Sequence, residues 1–282
     1  MTKASDVLSP ALRRLEVAAA LKRHREASEL TTSQVLAATG FSASKLSRIE
    51  TGNRPVQVDD LTRLCELYDL DAAERARLGK LADEARRRTT RKTIVDNRDF
   101  AELERAASAI EDYKSSVVTG LLQTPDYTRS LFRRLQPDIP GDLLEKVVAA
   151  RLDRQERIFG RSNPPRLHFI LDEAVLRRTV GGASLMRAQL KHLAELTFDE
   201  NFIVQVIPFS AGAHPAVDSL FTILSFDEAI RDRVYIDGLA PPVFLVDMSS
   251  LRTYRAVFSQ IRELSLDQAS SRELIASAAR DL

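Results

Sequence analysis

Ser42-Ala43-Ser44-Lys45-Leu46-Ser47-Arg48-Ile49-Glu50-Thr51-Gly52 decides how the N-terminal part of the chain is read. The Ser42 hydroxyl can accept a backbone N–H at the start of a helix, and Gly52 can take the left-handed conformation that ends one. Leu46 and Ile49, three apart, mark a buried stripe. Ser44, Ser47, Arg48 and Thr51 follow i, i+3, i+4, i+7 spacing on another face, and all four carry polar groups able to meet base edges or phosphates. The segment is either the recognition helix of a helix-turn-helix or a short amphipathic helix whose outer face is simply solvated. Its flanks decide between the two.

On the N-terminal side, residues 11 to 27 show helical periodicity, with Leu12, Leu15, Ala18, Ala19 and Leu21 in the stripe. Thr31-Thr32-Ser33 then offers hydroxyl caps for a short second helix through Val35-Leu36-Ala37-Ala38, and Gly40 supplies a tight turn into Phe41. A short helix, a glycine-containing turn and a second short helix stand in the order a helix-turn-helix needs. On the C-terminal side, Asn53-Arg54-Pro55 breaks the chain and Val58-Asp59-Asp60 opens a fourth helix. Asp71-Ala72-Ala73-Glu74, a capping-box pattern with Asp in the leading place, opens a fifth.

The run from Leu30-Thr31 through Gly40-Phe41-Ser42 to Leu46-Ser47-Arg48-Ile49-Glu50-Thr51-Gly52 resembles the Xre, or phage-repressor, helix-turn-helix family. That resemblance implies a DNA-binding bundle in which Ala43, Ser44 and Arg48 read bases. Ser47 joins them from its place on the outer face, and Arg48 is the one able to pair bidentately with guanine O6 and N7. It also implies that Lys45, Thr51 and Arg54 hold phosphates. Thr32 stands where the family often has a phosphate-binding Gln. Glu50 matches the glutamate that pairs with an arginine near the end of the first helix, here Arg25.

Composition sets the bounds. A chain of 282 residues with 44% hydrophobic content suits two domains with cores of their own. No apolar run approaches the roughly 20 residues of a membrane span, and Met1 to Asp6 lacks the start of a secretory signal. A cytoplasmic protein with no membrane association is expected. Cys65 is the single cysteine, which excludes an internal disulfide and a cysteine-rich zinc site, and it reads as core filler. The net charge of +1 conceals an asymmetry: residues 1–92 hold 18 Lys and Arg against 13 Asp and Glu, and the remainder 23 against 27. The surplus of positive charge lies with the candidate DNA reader, a modest support for it. The basic run Arg86 to Lys92 reads as a linker in preference to a phosphate-contacting arm.

Beyond residue 93, Phe100, Leu103, Ala107, Ile110 and Tyr113 recur at helical spacing. Thr124-Pro125 starts a helix through Leu135, and another spans about Asp142 to Phe159. Leu167 to Leu171 and Phe202 to Ile207 read as strands separated by a helix. Further strand-like runs lie at 219–226, 233–236 and 243–246, and two helices close the chain. The expected fold is a mainly α helix-turn-helix bundle of five helices over 11–88, a linker over 89–98, and an α+β domain over 99–282. Gly120 to Tyr127, Arg151 to Gln155, Leu171 to Arg178 and Val206 to His214 resemble the large C-terminal domain of actinobacterial Xre-type regulators. These form an antitoxin-like group often encoded beside a small partner protein.

Glu173 and His214 have acid–base chemistry, and Arg151 and Arg154 could hold an anion, so these four are the candidates for a ligand or partner site. No nucleophile motif, phosphate-binding fingerprint or metal-ligand spacing joins them. His168, His192 and His214 are scattered, and Arg151 and Arg154 at i, i+3 also suit salt bridges along a helix. The loop Ser210 to Pro215, rich in small residues, either lets a ligand approach the backbone or merely connects strands. The sequence therefore points to a sequence-specific regulator of double-stranded DNA. It is expected to act as a homodimer without cofactor, metal or catalytic activity, and its second domain to sense a small protein or a small-molecule effector. An antitoxin-like protein that chiefly sequesters a small partner is the alternative, and an enzyme with a DNA-binding appendage ranks third.

Overall fold

The structure is a computed structural model that describes residues 10–86, 98–196, 201–227, 231–238 and 242–282. It divides into two compact units, residues 1–106 with 226–231 and residues 107–225 with 232–282. The expected linker at 89–98 lies outside the described residues except for Arg98, and so does the basic run from Arg86 to Lys92 except for Arg86, which ends the fifth helix and donates to Val56 O at 2.8 Å.

The first unit holds α1 (Pro10–Ala27), α2 (Thr32–Thr39), α3 (Ala43–Glu50), α4 (Val58–Leu67), α5 (Ala72–Arg86) and α6 (Arg98–Ala106). Their boundaries are set by local chemistry. Thr31 caps α2 in a full capping box with Gln34, and Gly40, at φ 69°, ends that helix in the left-handed conformation. Ser42 caps α3 by accepting the Lys45 N–H. Asp71 caps α5 through the Glu74 N–H at 2.8 Å, while the Glu74 carboxylate turns to Arg77 and His24 instead of closing a capping box. Leu21, Val35, Leu46, Ile49, Leu64, Cys65 and Leu78 share one buried core. Burying an apolar side chain of this size stabilises the fold by about 1.5–3 kcal/mol, enough in sum to hold helices too short to persist alone.

The second unit is built on a six-stranded mixed sheet of order β3-β2-β1-β4-β5-β6. Its strands are β1 (Ala109–Lys114), β2 (Arg166–Asp172), β3 (Phe202–Ile207), β4 (Phe221–Ser225), β5 (Arg233–Ile236) and β6 (Val243–Leu245). β1, β2 and β3 run parallel, and β4 to β6 continue antiparallel. The helices are α7 (Pro125–Leu135), α8 (Gly141–Phe159), α9 (Glu173–Arg177), α10 (Ala183–Glu195), α11 (Met248–Leu264) and α12 (Gln268–Arg280). Tyr113, Ile170, Ile207, Phe221 and Ile223 from four strands pack with Leu251, Phe258 and Ile261 of α11 in a single core.

The helical spacing of Phe100 to Tyr113 does not mark one helix, because α6 ends at Ala106 and Ile110 and Tyr113 lie on β1. Ser108 makes the break: its N–H donates to Ser225 O at 2.9 Å and its carbonyl accepts the Arg166 N–H at 3.0 Å. Strand partners on both sides thus fix a segment in which Ile110 and Tyr113 favour a strand but Ala109, Glu111, Asp112 and Lys114 do not.

Candidate nucleic-acid interface

Ala43, Ser44, Ser47 and Arg48 are all exposed along the outer face of α3, while Leu46 and Ile49 anchor its inner face. Arg48 Nε donates to the Ser44 carbonyl at 3.2 Å, which lays the guanidinium along the helix surface. Thr51 Oγ1 donates to Ser47 O at 2.7 Å, so this hydroxyl is engaged within the helix end. Thr32 and Arg54 are exposed on either side of the helix pair. The Arg54 N–H bonds to Arg48 O at 3.3 Å and ties the following loop to the helix.

Behind this face, Arg25 and Glu50 form a two-pronged ion pair, Nε to Oε1 at 2.6 Å and Nη2 to Oε2 at 3.2 Å. Arg25 Nη1 also donates to Leu30 O at 3.1 Å, so one guanidinium joins the end of α1, the turn after it and the end of α3. Donating to Glu50 raises the Arg25 pKa above the ordinary arginine value, against the opposing effect of burial. Gly52 completes the fixture. It sits at φ 70°, and a Cβ there would lie 2.6 Å from Leu15 Cδ2, so glycine lets α3 end directly against α1.

Lys45 departs from the surface position of a phosphate anchor. Its Nζ lies 2.6 Å from Asp60 Oδ1 on α4 and 4.2 Å from the centroid of the Phe41 ring.

In the second unit, the four candidate ligand residues are each held by neighbouring protein groups. Glu173 Oε1 accepts from Arg177 Nε at 3.1 Å, and Glu173 Oε2 accepts the Phe209 N–H at 2.8 Å. His214 Nδ1 accepts the Ala216 N–H at 3.3 Å. That assigns the ring hydrogen of neutral imidazole to Nε2, which faces Asp172 Oδ2 at 3.4 Å. Arg151 donates to Gln123 Oε1 and lies 5.3 Å from the Phe132 ring centroid. Arg151 and Arg154 both border Gly120, where a Cβ would approach their guanidinium atoms to 3.3 and 3.4 Å. Glu173 and His214 therefore fasten the chain after β3 to the end of β2, whereas Arg151 and Arg154 pack against the 3-10 turn at Gly120–Leu122. Among the described residues, no group of three or more His, Cys, Asp or Glu could hold a metal ion, and no helix is long and apolar enough to cross a membrane.

Two family profiles match the chain. Residues 16–78 match a helix-turn-helix domain, and residues 97–277 match the domain of unknown function DUF5753. The chain belongs to the DUF5753 family. No curated protein and no solved structure gives a significant match. In this DUF5753 member the matched helix-turn-helix spans the geometry above, with α2 and α3 as its two helices and Gly40 in the turn.

Several residues that hold the DUF5753 chain together were not singled out for that role by the sequence. Asp60 was visible only as an acidic residue in the first turn of α4. Gln123, Gln155 and Gln189 form a polar network around the 3-10 turn: Gln155 Nε2 donates to Gly120 O at 3.0 Å and to Gln123 O at 2.9 Å. Gln189 accepts the Thr124 N–H at 2.7 Å and donates to Leu122 O at 2.8 Å. The stretches Gly120 to Tyr127 and Arg151 to Gln155, noted separately in the sequence, are thereby two halves of one packed joint.

Proposed function

We propose that this protein is a sequence-specific, double-stranded-DNA-binding transcription regulator of Xre type, in which α3 enters the major groove. The observation that carries the reading is the exposed row Ala43, Ser44, Ser47 and Arg48, mounted on a helix whose inner face and end are fixed by Leu46, Ile49, the Arg25–Glu50 pair and Gly52. A reading helix must be rigid and its outer face unobstructed, because base discrimination depends on well-placed hydrogen bonds. Arg48 supplies the guanine contact, and Thr32 and Arg54 hold the phosphate backbone, whereas Thr51, whose one hydroxyl hydrogen goes to Ser47 O, is withdrawn from that role. One helix of eight residues reaches few base pairs, so the protein acts as a homodimer on two half-sites about one helical turn apart.

The DUF5753 domain acts by binding a small partner protein or an effector and carries no reaction of its own. Glu173 and His214 support the absence of a reaction, since each is committed to protein groups that anchor the chain. The antitoxin-like reading is favoured by the four sequence stretches that resemble that group, and a small coding sequence beside the gene would support it. Mapping of bound chromosomal sites in cytoplasmic extracts of cells producing the full chain or Arg48→Ala tests the proposal. A defined set of sites that Arg48→Ala loses or blurs supports it, and an identical diffuse pattern for both proteins contradicts it.

A further inference from the structure

Lys45 stands beside the reading face, one turn before Arg48, yet its ammonium is already in use. Its side chain is 36% exposed, whereas the Asp60 side chain is only 12% exposed. Asp60 does not depend on Lys45 alone. It occupies the first turn of α4 beside Asp59, where the positive end of the helix dipole favours a carboxylate. The Phe41 ring beneath Lys45 holds the cation by its face and fixes where the aliphatic stem lies. A partly exposed lysine on a carboxylate with a second source of stabilisation is arranged to change partners.

We infer that Lys45 exchanges Asp60 for a DNA phosphate when the duplex docks, so that Asp60 sets the affinity and salt dependence of binding. This inference rests on the DNA-binding reading of α3. In the free protein the Lys45 charge is balanced within the bundle, and random DNA meets a weaker positive field than the sequence suggests. On docking, the phosphate takes the ammonium and Asp60 keeps the helix terminus. Base preference stays with Ser44 and Arg48, because a phosphate contact carries no sequence information.

Binding of the full chain to a random-sequence duplex, followed by fluorescence anisotropy over a salt series, tests the exchange. Lys45→Gln lowers the slope of log affinity against log salt by about 0.9, the loss of one released counterion. Asp60→Asn tightens binding severalfold without reordering the affinities for different sequences, and the gain shrinks when Lys45→Gln is also present. An unchanged slope for Lys45→Gln overturns the inference, since it means Lys45 stays on Asp60 throughout. A folded Asp60→Asn chain that binds no tighter than wild type overturns it too. If Asp60→Asn does not fold, the Lys45→Gln slope decides alone. A wild-type chain that binds no duplex at all fails the DNA-binding reading itself, and the exchange with it.

Discussion

Arg25 grips Glu50 through two parallel hydrogen bonds from one guanidinium, and both side chains are nearly enclosed, at 13% and 12% exposure. The pair is the mechanical link between the first helix of the bundle and the end of the reading helix. Truncating either partner leaves the other charge enclosed without its counterpart. Arg25→Ala or Glu50→Ala is expected to cost about 2–3 kcal/mol of stability in the first unit, measured by chemical unfolding. A loss equal to that of an exposed arginine, below about 1 kcal/mol, would contradict the role assigned to the pair.

Gly52→Ala places a methyl group where Leu15 Cδ2 already stands, in a left-handed backbone conformation at φ 70°. The expected cost is roughly 1–3 kcal/mol, with weaker DNA binding because α3 can no longer end against α1. Gly40→Ala provides the comparison. It has a similar φ of 69° but open space around the added carbon, so it carries the backbone penalty without the clash. Equal melting temperatures for the two variants would mean that the Leu15 contact has no consequence.

Gln189 is fully buried, and its amide meets one donor and one acceptor of the turn before α7. Gln189→Leu keeps the size and deletes both bonds, stranding the Thr124 N–H and the Leu122 carbonyl. The expected destabilisation is about 2–4 kcal/mol, on the usual cost of unsatisfied buried groups. Hydrogen exchange should accelerate at Thr124 in particular; retained protection there would show that another acceptor serves it.

His168 supplies a pH dependence in the second unit. Burial pushes its imidazole pKa below the ordinary value, and the nearby Arg262 adds to this, against the raising effect of the Gln205 hydrogen bond. The unfolded chain therefore takes up a proton first as pH falls. The stabilisation is full above the ordinary histidine range near 6.5 and declines as pH drops through that value toward the folded-state pKa. His168→Gln should flatten this part of the stability profile. An unchanged slope in the variant between about pH 7 and 5 would assign the effect to other groups.

The helix-turn-helix was legible because its signals are local. Ser42, Thr31 and Asp71 cap helices within three residues of themselves, and Leu46 and Ile49 show their periodicity inside one helix. β1 was not legible, because Ile110 and Tyr113 keep helical spacing from Phe100 and only the pairing with β2 and β4 makes the segment a strand. The Lys45–Asp60 contact was hidden for the same reason: fifteen residues separate the partners, and no single helix contains both. Glu173 and His214 carried chemistry in the sequence, and Arg177 lies one turn from Glu173, but their long-range partners, the Phe209 N–H and Asp172, emerge only when the end of β2 meets the chain after β3.

The central claim is that α3 reads sequence, and repeated selection of duplexes from a random pool by the purified full chain at near-physiological salt tests it most directly. The expected result is enrichment of a motif with two related half-sites about one helical turn apart, at least one position of which loses its preference in Arg48→Ala. A pool that stays random after repeated selection, or a motif that Arg48→Ala and Ser44→Ala leave untouched, would contradict the account.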